Sequence, residues 1–222
     1  MASPHVTDVD ALLEEQVRYY RARAPEYDAT SLPEGAPFAQ LTRRAHAALA
    51  ALGPVDRVIE LGAGTGQWTR QLARIAGEVE AVDTSPEVLA LNARKVGAAN
   101  VRYTTADVFA WRPDRRADLV VFGALLSHIP RDRFAPFWDA VRAMLGPGGR
   151  AWVFDESPVG LSPEEETPTP DVVVRTLEDG RRFRIVKIRW DAAELTERLR
   201  ALGWRAALTQ DGPFYWGTIT PG

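Results

Sequence analysis

At 222 residues with a formal charge of −3, the chain is long enough for one α/β domain with additions, and its acidic balance counts against the basic stripe that strong nucleic-acid binding requires. Its hydrophobic content of 45% is ordinary for a globular core, and no apolar run reaches the ~18 residues of a membrane helix. Cysteine is absent, which excludes disulfides and thiolate metal sites.

Residues Asp8 to Ala24 place Val9, Leu12, Leu13 and Val17 at helical spacing, and Pro25 closes that helix. Tyr19, Tyr20, Tyr27 and Asp28 stand in and after its last turns, with Tyr19 expected to pack the helix on the body. Residues 31 to 37 read as a loop, followed by a helix from Phe38 to Leu52 that carries His46 on its surface.

Val55 to Leu61 is a short buried strand, and Gly62, Gly64 and Gly66 follow on alternate positions before a helix carrying Trp68, Leu72 and Ile75. Glycine accepts positive φ and has no Cβ, so such a turn lets a ligand approach the backbone at the carboxyl end of a parallel strand. Gln67 breaks the G-x-G-x-x-G dinucleotide pattern, and no Lys-Ser/Thr pair supplies a phosphate loop.

A second run, Glu78 to Val82, ends in Asp83, whose carboxylate can accept both hydroxyls of a ribose. Ser85-Pro86-Glu87 is a helix start: serine as cap, proline in the first turn, acid near the positive end. A third run, Val101 to Thr105, leads into Asp107 and Val108. A fourth, Ala117 to Gly123, leads into Leu125-Leu126-Ser127-His128-Ile129-Pro130. His128 is the candidate general base, since a neutral imidazole can take a proton from an acceptor; the competing reading is that it fixes the loop or touches a bound cofactor. A helix runs from Pro130 through Leu145.

The fifth run, Arg150 to Asp155, follows the turn Leu145-Gly146-Pro147-Gly148-Gly149 and puts Asp155 and Glu156 at its carboxyl end. Glu156 to Asp171 is rich in proline and acid and reads as a loop. Val172 to Leu177 and Arg182 to Ile188 form a hairpin around Glu178-Asp179-Gly180. Asp191 to Glu194 has capping-box spacing ahead of a helix with Leu195, Leu199 and Leu202. Trp204 to Thr209 and Phe214 to Thr220 make an antiparallel closing pair. The arginine clusters (Arg18, Arg21, Arg23; Arg112, Arg115, Arg116; Arg181, Arg182, Arg184) read as solvated surface charge. His5, His46 and His128 are scattered, so no metal site is expected.

Glu60-x-Gly62-x-Gly64-x-Gly66 resembles the first motif, E/D-x-G-x-G-x-G, of the class I S-adenosylmethionine-dependent methyltransferases. The landmarks that follow, from Val55 to Asp155, come in that family's order. The resemblance implies an α/β, Rossmann-like, doubly wound seven-stranded sheet with an antiparallel last strand. It also implies one domain over 1–222, with an N-terminal helical cap (1–37) and a loop-and-hairpin insertion after strand five (156–190). The cofactor implied is S-adenosyl-L-methionine, giving S-adenosyl-L-homocysteine, without a metal. Glu60, Gly62, Ala63, Gly64, Gly66, Asp83, Thr84, Asp107 and Val108 fall at cofactor positions, with Tyr20 and Tyr27 from the cap. Trp68, Leu126, His128, Asp155, Glu156 and Trp216 fall toward the substrate.

The activity expected is in-line methyl transfer to an O or N atom of a small, partly hydrophobic molecule. An RNA or protein methyltransferase and a non-methylating relative that binds the same cofactor are the alternatives. No export signal or membrane segment is visible, so a cytoplasmic monomer or homodimer is expected.

Overall fold

The computed structural model describes residues 9–27, 39–159 and 167–222; the loop expected at 31–37, the acids Glu164 to Glu166, Asp28 and His5 lie outside them. The elements in chain order are α1 (Val9–Arg23), α2 (Ala39–Ala50), β1 (Val55–Leu61), α3 (Thr69–Ile75), β2 (Ala76–Asp83), α4 (Pro86–Val96), β3 (Val101–Thr105) and β4 (Ala117–Gly123). Two 3-10 turns (Leu126–His128 and Arg131–Arg133) lead into α5 (Phe134–Met144), and β5 (Leu145–Glu156), β6 (Val172–Thr176), β7 (Arg182–Val186), α6 (Ala192–Ala201), β8 (Trp204–Asp211) and β9 (Phe214–Pro221) complete the chain.

Seven strands form one sheet in the order β3-β2-β1-β4-β5-β9-β8, and β6 and β7 pair separately. β1, β2, β3, β4 and β5 run parallel, whereas β9 is antiparallel to both β5 and β8. The chain leaves β1 toward β2 on one side and returns to β4 on the other. A crevice therefore opens at the carboxyl ends of β1 and β4, where the winding direction reverses.

Both faces of the sheet are covered, so β4 reads as a continuous apolar run. Its Val120 and Phe122 join Phe137, Trp138 and Trp204 in the core on one face, while Leu119 and Val121 join Leu49, Leu72 and Trp152 on the other. Charge inside β2 is tolerated where it is paired. Buried Glu80 accepts from Arg57 at 2.5 Å, Arg102 at 2.7 Å and Thr104 at 3.0 Å.

Helix starts follow local chemistry. The Ser85 hydroxyl accepts from the Val88 N–H at 3.2 Å, and Gly97 closes α4 in the left-handed conformation (φ 60). At α6 the Asp191 carboxylate accepts from Ala193 and Glu194, and the Glu194 side chain pairs with Arg198 at 3.0 Å.

The hairpin and the N-terminal helix form one roof over the crevice. Tyr19 packs with Val173, Leu177 and Ile185 of the hairpin region and lies 5.8 Å from the Phe183 ring. It thus joins α1 to the hairpin, where the sequence reading put it against the body. Glu15 receives the Arg184 backbone N–H at 2.6 Å and its guanidinium at 2.8 Å. Gln16 accepts from the Val186 N–H at 3.0 Å. The far end of α1 reaches the body through Arg21, which donates to the Thr84 carbonyl at 3.1 Å.

Candidate active site

Two adjoining cavities occupy the crevice. Both are lined by Tyr20, Tyr27, Gly62, Gly64, Thr65, Gly123, Ala124 and His128. The larger, about 730 Å³, extends past Asp83, Thr84, Ala106, Asp107, Val108 and Phe109, with α1 as its outer wall. The smaller, about 420 Å³, extends toward Trp68, Phe154, Glu156, Arg175, Lys187 and Phe214.

The glycine loop shapes the wall between them. Gly62 and Gly64 take positive φ (64 and 54), and a Cβ on Gly64 would meet nothing nearer than the Gly62 carbonyl oxygen at 3.9 Å. The front of Gly64 is therefore open to the cavity. The Asp83 carboxylate ties this loop to the next helix, accepting from the Gly64 N–H and the Ser85 N–H, both at 3.0 Å. Burial pushes the Asp83 carboxyl above its usual range, against the pull of these backbone donors. Asp107 is exposed at the lip, where it caps its own turn by accepting from the Phe109 N–H at 2.9 Å.

His128 sits at the junction of the two cavities. Its Nδ1 lies 2.7 Å from the Val186 carbonyl and its Nε2 lies 2.7 Å from the Tyr20 hydroxyl. A carbonyl only accepts, so Nδ1 carries the proton, Nε2 accepts, and Tyr20 donates to it. Burial, then the nearby Lys187 ammonium, lowers the imidazole to about 3. Burial also raises the Tyr20 phenol well above its ordinary value, so the pair is neutral. Both ring nitrogens of His128 are engaged, and the group facing the cavity junction with it is the Tyr20 phenol.

The smaller cavity has an apolar floor and a charged roof. Trp68, Phe154 and Phe214 form the floor, with ring centroids 5.0 Å apart for Trp68–Phe154 and 5.1 Å for Phe154–Phe214. Gly123 makes room for Trp68: a Cβ there would lie 2.1 Å from the indole nitrogen. His46, expected on the surface, instead stacks on the other side of Trp68 at 4.2 Å, because α2 packs over α3. Arg23, Arg175 and Lys187 bring positive charge. Lys187, almost fully buried, donates to Ser127 at 3.2 Å and pairs with Glu156 at 2.9 Å. Burial alone would raise Glu156, but Lys187 and Arg189 outweigh it and hold the carboxyl at about 2.

Gly62, Ala63, Gly64, Asp83, Thr84, Asp107, Val108, Tyr20, Tyr27, Trp68, His128 and Glu156 therefore meet at the cavity walls. Five other expected residues lie behind them. Glu60 is buried under the loop, accepts from the Thr69 hydroxyl at 2.6 Å, and is raised to about 8 by burial. Gly66 backs onto Asn92, with a Cβ meeting its Oδ1 at 2.7 Å. Leu126 and Trp216 point into the two cores, one on each face of the sheet, and Leu125 takes the cavity position. Asp155 is fully buried and acts as a clasp, accepting from the Ser127 N–H at 2.9 Å and so fixing the turn that carries His128.

Arg175 and Lys187 were missed in the sequence. Lys187, one of two lysines in the chain, interrupts the apolar run Ile185-Val186-Lys187-Ile188, a visible signal that this charge has a partner.

A parallel sheet with a reversal crevice and a glycine loop at the carboxyl end of β1 defines a Rossmann-like fold. The sequence profile of the family described as "Methyltransferase domain" matches residues 58–149. Among solved structures, the "DhpI-SAH complex" is 42% identical, with a TM-score of 0.85 over 96% of this chain and 98% of that one. The "DhpI-SAM-HEP complex" is 40% identical, with a TM-score of 0.81 over 99% and 100%. The chain belongs to the class I S-adenosylmethionine-dependent methyltransferases of the small-molecule type. Among curated proteins, protein-L-isoaspartate O-methyltransferase 1 of Anaeromyxobacter sp. (strain Fw109-5) is 36% identical over 129 residues, 55% of this chain and 52% of that protein. The chain spans about half the length of the curated isoaspartate methyltransferases it matches. Among the described residues no helix is long and apolar enough to cross a membrane.

Proposed function

We propose that the protein transfers the methyl group of S-adenosylmethionine to an anionic oxygen of a small acid with a short apolar body. The observation that carries this reading is the placement of Arg23 and Arg175 in the smaller cavity, beside a floor of Trp68, Phe154 and Phe214. Three carboxylates, Glu26, Glu156 and Glu178, line it too; Glu156 and Lys187 pair with each other, and Glu26 receives the Glu178 backbone N–H at 3.4 Å, so Arg23 and Arg175 are the recognition charges in this reading. Cationic side chains bind an oxyanion through charge-assisted hydrogen bonds, and the aromatic floor suits an apolar stem.

The state of His128 supports the same acceptor. A neutral imidazole with both nitrogens bonded, and lowered to about 3, is a weak base. An acceptor arriving as an oxyanion has no proton to lose.

The residues of the larger cavity fit the cofactor: the open front of Gly64, the Asp83 carboxylate and the Asp107–Val108 lip face one space. When bound, S-adenosylmethionine supplies a sulfonium methyl open to in-line displacement. The work of the chain is to orient the acceptor and exclude water, worth up to ~7–11 kcal/mol for well-placed reactants. The roof of α1 and the hairpin performs the exclusion. It also disfavours an RNA or protein acceptor, which would have to enter beneath it.

The neighbours' names are consistent with this. The isoaspartate relatives, though named for a protein substrate, are O-methyltransferases by name, and one DhpI structure is a SAM-HEP complex. The test is to incubate the protein with methyl-labelled cofactor and panels of carboxylic, phosphoric and phosphonic acids, matched with amines and alcohols. Label should pass to acids as methyl esters; transfer to amines with the acids inert would overturn the reading.

A further inference from the structure

We propose that Asn92 is a positioning residue of the cofactor site, holding the glycine loop in its binding shape from behind; this rests on the cofactor reading above. Asn92 lies in α4, fully buried and away from both cavities. Its amide nitrogen donates to the Thr69 hydroxyl at 2.8 Å and is within bonding distance of the Ala63 and Gly64 carbonyls at 3.3 and 3.2 Å. An amide has two hydrogens, so one serves Thr69 and the other is shared between the two loop carbonyls.

The remaining contacts lock that geometry. Thr69 passes its own hydrogen to Glu60 at 2.6 Å, which ties the amide to the strand that carries the loop. The Tyr103 hydroxyl donates to Asn92 Oδ1 at 3.3 Å. Gly66 leaves the space that Oδ1 fills, since a Cβ there would come within 2.7 Å of it. Thus the third glycine of the motif serves the asparagine, while the first two border the ligand space. Both carbonyls that Asn92 holds belong to residues lining the smaller cavity, and Gly64 lines both. Without the amide, the buried Ala63 carbonyl, the half-buried Gly64 carbonyl and a threonine hydroxyl lose a partner, and the loop can turn them toward the ligand.

The test is calorimetric binding of S-adenosylhomocysteine to the unloaded protein, which needs no acceptor. Asn92→Ala and Asn92→Leu should weaken binding by about tenfold or more, the size expected for a lost buried donor. Thr69→Val should weaken it in the same direction and Thr69→Ser should restore it, which keeps the test open if the Asn92 variants do not fold. In activity assays the loss should appear in KM for the cofactor, with kcat at saturation held. Parent-like affinity in folded Asn92→Leu and in Thr69→Val would overturn the proposal while leaving the cofactor reading intact. Failure of the parent itself to bind would overturn both.

Discussion

The Tyr20 hydroxyl donates to His128 Nε2 at 2.7 Å, joining the N-terminal helix to the turn after the fourth strand. Gln16, one turn earlier on that helix, reinforces the link, reaching the His128 carbonyl at 3.3 Å and the Val186 N–H at 3.0 Å. Roof, hairpin and the turn after β4 thus share one hydrogen-bonded junction. The imidazole is a structural member of it.

His128→Gln should leave the pH profile of turnover without a lost basic limb between pH 5 and 8. The parent should likewise show no inflection from this histidine. A limb near pH 6–7 in the parent that vanishes in the variant would return His128 to the role of base. Stability gives a second readout. The folded value of about 3 lies below the ordinary 6.5, so the unfolded chain takes up the proton first and stability is lost as pH falls from 6.5 toward 3. Acid titration of His128→Gln should show a shallower loss over that window.

Glu60 predicts the opposite slope. Burial raises its folded value to about 8 from 4.5, so the folded state holds a proton that the unfolded chain has released. That stabilisation is complete below pH 4.5 and disappears as pH rises through 8. Glu60→Gln, which can still accept from Thr69, should therefore gain in melting temperature relative to the parent between pH 5 and 9. It should bind S-adenosylhomocysteine like the parent, because the side chain does not reach the cavity. A variant whose pH curve runs parallel to the parent's would refute the buried-acid assignment.

The three glycines of the loop should fail differently. Gly64→Ala meets only left-handed backbone strain of ~1–2 kcal/mol, and its methyl enters the ligand space. Gly66→Ala adds a collision with Asn92. Thermal melts should show a modest loss for the first and a larger one for the second, while calorimetry shows reduced binding in both. Equal melting temperatures would contradict the packing described.

Arg175→Met should raise KM for the acid acceptor by about tenfold or more, since a hydrogen bond to a charged group contributes ~1.5–3 kcal/mol. Affinity for S-adenosylhomocysteine should be unchanged, because Arg175 lines only the smaller cavity. A shift in cofactor affinity of the same size, with acceptor KM unaltered, would contradict the division into two subsites.

Much of the frame was legible from the residues alone. Apolar runs ending in Gly62, Asp83, Asp107 and Gly123 announced parallel strands and their carboxyl ends, because period and punctuation are local properties. The hairpin at 172–188 and the Ser85 cap were readable for the same reason. Side-chain direction was not. Leu125 and Leu126 are chemically identical neighbours, yet one lines the cavity and the other the core, since the 3-10 turn between strand and helix decides the angle. Tertiary structure alone decided that His128 is neutral, that Glu60 and Asp155 brace loops from below, and that Arg23, Arg175 and Lys187 converge from three places in the chain. Charge, protonation and bonding partners depend on what lies across space, and a sequence orders residues along only one dimension.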